Sequence, residues 1–198
     1  MRKFRNVTFA MLAAMALCLN ATLVSCNDDD DPSNGPGVKE VEGSYAGTMA
    51  TLMISPGEIP STEVTAAVKD GKIEFANFPV SNLVGVVLGG QVPPALGDYF
   101  TANPLSYNVP YAAVMNAELN GVELTLAPEP LTITLPAAVM GVEQTIKVTI
   151  EAAGRGNYVF ASNVLTFNLR VSKIEVNGQA IPSLPTITLG FEITKKTK

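Results

Sequence analysis

Polar and apolar residues alternate with a period of two along most of the chain after Val38. Thr145-Ile146-Lys147-Val148-Thr149-Ile150-Glu151 alternates strictly. So do Leu165-Thr166-Phe167-Asn168-Leu169-Arg170-Val171 and Thr186-Ile187-Thr188-Leu189-Gly190-Phe191-Glu192-Ile193-Thr194. Val122–Leu126 and Leu131–Leu135 are shorter cases. Successive side chains of a strand point to opposite faces, so each segment has one dry and one wet face. The wet faces are rich in threonine, a residue that fits a pleated surface. Asp70-Gly71 lies between Val64–Val68 and Ile73–Phe78, and Asn120-Gly121 between Ala112–Leu119 and Val122–Leu126. Both dipeptides accept positive φ and predict tight type I′ hairpins. Asn177-Gly178 closes the strand that ends at Val176, and prolines at 128, 130, 136, 182 and 185 mark edges or loops.

Two strands change phase. Apolar residues fall on odd positions from Leu165 to Val171 and on even positions at Ile174 and Val176. Tyr45 and Met49 are odd, whereas Leu52 and Ile54 are even. A β-bulge near Ser172-Lys173 and another near Ala50-Thr51 would return the apolar side chains to the inner face. One short helix is predicted within Pro79–Gly89, with Ser81 as its cap. Gly90 to Pro104 contains three prolines and reads as a long loop. The expected fold is all-β, with about nine antiparallel strands in meander order and one short helix, closed as a barrel or packed as a sandwich.

The first thirty-seven residues follow a different pattern. Met1–Arg5 is basic, Val7–Leu19 is apolar except for Thr8, and Asn20 and Thr22 interrupt the run. That is the layout of a signal peptide, and the run is short of the roughly 20 residues that a spanning helix needs. Leu23-Val24-Ser25-Cys26 resembles the lipobox of bacterial lipoproteins. The resemblance implies cleavage after Ser25 and a lipid on Cys26, an anchor built from buried methylenes. Asn27 to Gly37 is acidic and rich in Pro and Gly with nothing to bury, and reads as a tether. Its run Asp28-Asp29-Asp30-Asp31 is similar to the acidic cluster of Bacteroidetes surface lipoproteins. There it marks export to the outer face of the outer membrane; a plain spacer on a periplasm-facing protein is the alternative. The expected organisation is thus a signal peptide (1–25), a lipidated tether (26–37) and a β domain (38–198).

Within that domain, Gly43-Ser44-Tyr45-Ala46-Gly47-Thr48-Met49 followed by a late Thr166-Phe167-Asn168-Leu169-Arg170-Val171 strand resembles Bacteroidetes lipoproteins with a calycin-like, or lipocalin-like, barrel of unknown function. The resemblance implies the fold and the address but carries no catalytic residues. The lipocalin Gly-x-Trp signature is missing, because the chain has no tryptophan.

Composition narrows the chemistry. The chain has no histidine, and its two cysteines are Cys18, in the signal peptide, and Cys26. The β domain therefore has no imidazole, no thiol and no disulfide. Loss of Arg2, Lys3 and Arg5 leaves 10 Lys and Arg against 18 Asp and Glu, a net charge of −8. This is no footprint for nucleic acid. Gly154-Arg155-Gly156-Asn157 lacks the lysine and glycine pattern of a phosphate loop. Glu118 and Glu123 flank the Asn120-Gly121 hairpin, and two carboxylates there could serve acid/base glycoside hydrolysis; the commoner fate of such residues is to face water. No catalytic residue, metal or cofactor is assigned. Tyr99, Phe100, Tyr107 and Tyr111 gather around the long loop, either as ligand contacts or as a cap on the core. Two function classes follow: a non-catalytic binding or adhesion module for a small apolar ligand or glycan, or an accessory lipoprotein that docks to or inhibits another envelope protein. An open lumen would favour the first and a filled barrel the second.

Overall fold

The computed structural model describes residues 36–53, 61–88, 92–182 and 186–196. All belong to one compact unit that begins at Pro36. Cys18, Cys26, Asp28–Asp31 and Ile54 lie outside the described residues.

Eleven strands form one antiparallel sheet: β1 (Gly43–Met53), β2 (Thr62–Lys69), β3 (Lys72–Phe75), β4 (Tyr107–Met115), β5 (Gly121–Leu126), β6 (Leu131–Leu135), β7 (Gln144–Ala152), β8 (Gly156–Val159), β9 (Val164–Val176), β10 (Gln179–Ala180) and β11 (Ile187–Lys195). Neighbours run in the order β11-β1-β2-β3-β4-β5-β8-β9, and β9 pairs with β11, so eight strands close a barrel. The step from β5 to β8 is not a true crossover. Val122 faces Tyr158 and Ile133 faces Ile146, in one hairpin ladder with a break in each arm. Pro128 and Pro130, which cannot donate ladder bonds, interrupt the first arm; the second turns at Gly154, where φ is +120°. β5 with β6, and β7 with β8, are therefore single interrupted strands, and the barrel is an up-and-down meander. Closure removes the outer sheet edges that would otherwise invite aggregation.

Local chemistry accounts for most turns. Asp70 and Gly71 adopt φ of +50° and +69°, and Asn177 and Gly178 +50° and +81°, as type I′ turns require. The third hairpin differs from expectation. Its turn spans Asn116–Asn120, with Leu119 at φ +55° and Leu119 N–H bonded to the Asn116 carbonyl at 3.0 Å. The Asn116 amide oxygen accepts the N–H groups of Asn120 (3.0 Å) and Gly121 (3.2 Å), so this side chain organises the turn. Gly121 begins β5 without a positive φ. It is glycine because a Cβ there would sit 2.3 Å from the Tyr158 carbonyl oxygen.

One of the two phase changes is a bulge. Thr149 pairs with Lys173 but Ile150 with Val171, so Ser172 is skipped and both Val171 and Ile174 turn inward. At β1 the expected bulge is absent. Register with β11 runs unbroken from Tyr45↔Lys195 to Met53↔Ile187. Thr51 is buried and Leu52 is 62% exposed, so strand register overrides the apolar preference of Leu52.

The turns at Asp70-Gly71, Asn116–Asn120 and 160–163 share one barrel end with the start of β1, whereas the Asn177-Gly178 turn lies at the other. The long connections also lie at that other end, and there the helices occur: α1 (Ser81–Val87), α2 (Pro94–Ala102) and α3 (Ala137–Met140). α1 was expected. α2 replaces most of the predicted loop, because Pro94 occupies the first helical position, where its missing N–H costs nothing. Leu83 and Val84 of α1, and Leu96 and Phe100 of α2, join the barrel core.

Candidate functional site

The lumen is the first place to look for function in an eight-stranded barrel, which is just wide enough to be filled by side chains or to hold one small ligand. Alternate residues of every strand point into it, and here they fill it. Phe167 and Phe191 stack with centroids 4.5 Å apart. Phe75 lies 5.3 Å and Phe78 6.4 Å from Phe191. Phe78 meets Tyr107 at 4.8 Å. Leu165, Leu169, Leu189, Ile193, Leu124 and Val122 are fully buried around this aromatic column. Dense ring packing of this kind is what makes a core, in which each lost contact is felt.

Both ends are closed. A 3₁₀ turn, Val38–Val41, precedes β1 and reaches across to β4 and β5, and it buries Val41 under the tight-turn end. Tyr45 Oη donates to the Val41 carbonyl at 2.6 Å, and Lys195 Nζ donates to the Glu40 carbonyl at 2.6 Å. Lys195 also sits 5.9 Å over the Tyr158 ring. Tyr158 meets Tyr45 edge-on at 6.3 Å and donates to Asn163 Oδ1 at 2.9 Å. Burial raises the Tyr45 hydroxyl far above its ordinary pKa, reinforced by nearby Tyr158. Burial also raises Tyr158. Tyr45→Phe should cost about 1 kcal/mol, since it leaves the buried Val41 carbonyl without its donor. Denaturant unfolding of the variant checks this; an unchanged midpoint would mean that the plug is not held by the phenol.

The four predicted contact residues do not form one site. Tyr107 and Phe100 belong to the core, and Tyr99 and Tyr111 pack against it half-buried. Tyr107 donates to the Glu129 carbonyl at 2.7 Å, and burial raises its pKa. Tyr111 is pushed up to about 12, chiefly by burial and then by Glu42. Among the described residues Tyr99 has Phe100 as its ring partner, at 5.7 Å. Tyr99, Phe100 and Tyr107 close the helix end of the core, whereas Tyr111 lies at the opposite end, its N–H bonded to the Gly71 carbonyl at 2.8 Å. Glu118 and Glu123 are engaged separately: Glu118 accepts from Asn120 Nδ2 at 2.8 Å, and Glu123 forms an ion pair with Arg155. Among the described residues no group of three or more acidic or sulfur ligands is placed to hold a metal. Sequence reading missed the plug, because Tyr45, Tyr158, Asn163 and Lys195 are joined only by strand register.

These features define a class: a closed, side-chain-filled, up-and-down β-barrel plugged at both ends. Residues 40–176 match the domain of unknown function DUF4840, and the chain belongs to that family. The matched span ends with β9 and does not include β11, the strand that completes the barrel. No curated protein and no solved structure matches the chain.

Proposed function

We propose that this chain is a lipid-anchored envelope protein that works without catalysis, by docking another envelope protein through the outside of its calycin-like barrel. The observation that carries the docking reading is the aromatic column in the lumen. With Phe75, Phe78, Phe167 and Phe191 packed together, a small ligand has no vacated volume to enter. The anchor rests on Leu23-Val24-Ser25-Cys26 and the basic and apolar segments before it. No helix among the described residues is long and apolar enough to cross a membrane. Surface exposure on the outer membrane rests on Asp28-Asp29-Asp30-Asp31.

Two variants of the full chain test the address in a Bacteroidetes host fed labelled fatty acid. Cys26→Ala should lose the label completely, because the acylated sulfur is gone. Continued labelling would refute the anchor. Replacing Asp28–Asp31 with serine should keep the label but protect the domain from protease added to intact cells. Equal exposure of the unmodified and serine forms would reduce the aspartates to a spacer.

A further inference from the structure

The barrel wall has an opening between β2 and β3. β2 is eight residues long, yet it pairs with β3 only at Ala67, Val68 and Lys69. Beyond Glu74 and Phe75 the chain bends away at Ala76-Asn77. The register says which groups this leaves bare. Lys69 and Lys72 flank a two-residue turn, so the odd residues of β2 direct N–H and C=O toward β3 and the even residues toward β1. The bond from Lys196 N–H to the Ser44 carbonyl confirms this phase on β1, whose even residues serve β11. Glu63 and Thr65 therefore present two N–H and two C=O groups to the opening, with no hydrogen-bond partner among the described residues.

Two hollows meet at Thr65. One, of about 540 Å³, is lined by Thr65, Ala66 and Ala67 on one side and Glu74, Phe75 and Ala76 on the other. Runs of consecutive residues line it, as an edge does and an intact sheet face does not. The second is lined by Gly47, Glu63, Val64, Thr65 and Asn77. A row of free ladder groups is matched only by another extended main chain. We propose that the β2 edge from Glu63 to Ala66 is a strand-accepting notch that binds an extended segment of a partner protein. Its occupant carries small apolar side chains toward Ala66 and Phe75, and a basic one opposite exposed Glu63. This rests on the docking reading and names the docking place.

The test uses amide exchange and titration of the full chain with a synthetic peptide that alternates valine with threonine and lysine. In the free protein the Thr65 and Glu63 amides should exchange roughly a hundredfold faster than those of Val64 and Ala66, since local protection follows local hydrogen bonding. The peptide should slow the Thr65 amide and shift resonances of residues 63–67 and 74–77. The same peptide N-methylated on its pairing edge should not. Thr65→Pro removes only a free N–H, which an edge position tolerates; it should stay folded and bind the peptide at least tenfold more weakly. Glu63→Pro is the second variant should Thr65→Pro fail to fold. Equal protection of residues 63–66 would overturn the notch, as would failure of the peptide to bind, unchanged binding by the folded proline variant, or a dimer of this chain pairing through β2. None of these results touches the docking reading, which falls instead if the lumen proves to hold a ligand.

Discussion

Phe191→Ala should lower the stability of the barrel by about 3–5 kcal/mol, the range for truncating a well-packed core phenylalanine. Phe191 is 3% exposed. Its ring stacks on Phe167 and touches Phe75 and Phe78, so removal strips contacts from three neighbours at once. β11 is paired with β9 from Ile187↔Val171 to Thr194↔Val164 and with β1 on its other side, so it cannot close inward to refill the space. The lost volume should remain as an apolar cavity, the kind that stays dry and takes up benzene. Denaturant unfolding measures the first effect, and a benzene-dependent rise in the melting temperature measures the second. Leu52→Ala, on the outer face, should change stability by no more than about 0.5 kcal/mol. A loss under about 1 kcal/mol for Phe191→Ala would mean that the lumen is loosely filled and open to ligands.

The second large effect is alkaline. Tyr45, Tyr107 and Tyr158 are buried at 0%, 5% and 1% exposure, and burial raises each hydroxyl above its ordinary value. The unfolded chain loses these protons from about pH 10 upward. The native barrel binds them more tightly, so the stability they contribute is intact below pH 10 and falls as pH rises toward the native values. Each tyrosine that ionises only on unfolding contributes a slope of roughly 1.4 kcal/mol per pH unit, or about 3 kcal/mol per unit for Tyr45 and Tyr107, the two most strongly raised. A domain with about 5 kcal/mol of stability, the low end of the ordinary range, should therefore unfold near pH 12. Circular dichroism against pH, with tyrosinate absorbance recorded together, should show the unfolding step and the ionisation of the three buried tyrosines coinciding. Gradual formation of more than two of the five tyrosinates in a folded barrel would contradict the burial of these phenols.

Period-two alternation made the strands legible, because a barrel imposes one inward face on each. The Ser172 bulge was legible for the same reason: Val171 and Ile174 cannot both face inward without an extra residue between them. Leu52 misled, since an apolar residue on the outer wall looks in sequence like a phase change. α2 was hidden because Pro93 and Pro94 suggest a loop, although a proline at the first helical position begins a helix as readily as it breaks one. The filled lumen was illegible. Phe75, Phe167 and Phe191 announce a dry face, but only register and closure place their rings against one another. The β2 opening was likewise beyond reach, for it depends on where β3 stops pairing, not on the composition of either strand.

Native mass spectrometry of residues 36–198, purified from cells without detergent, tests the central claim most directly. A barrel filled by its own side chains should fly at the mass of the chain alone and take up no fatty acid or other apolar probe supplied in excess. A retained apolar molecule at one per chain, lost in a Phe191→Trp variant that narrows the lumen, would show a ligand-binding barrel and contradict the account.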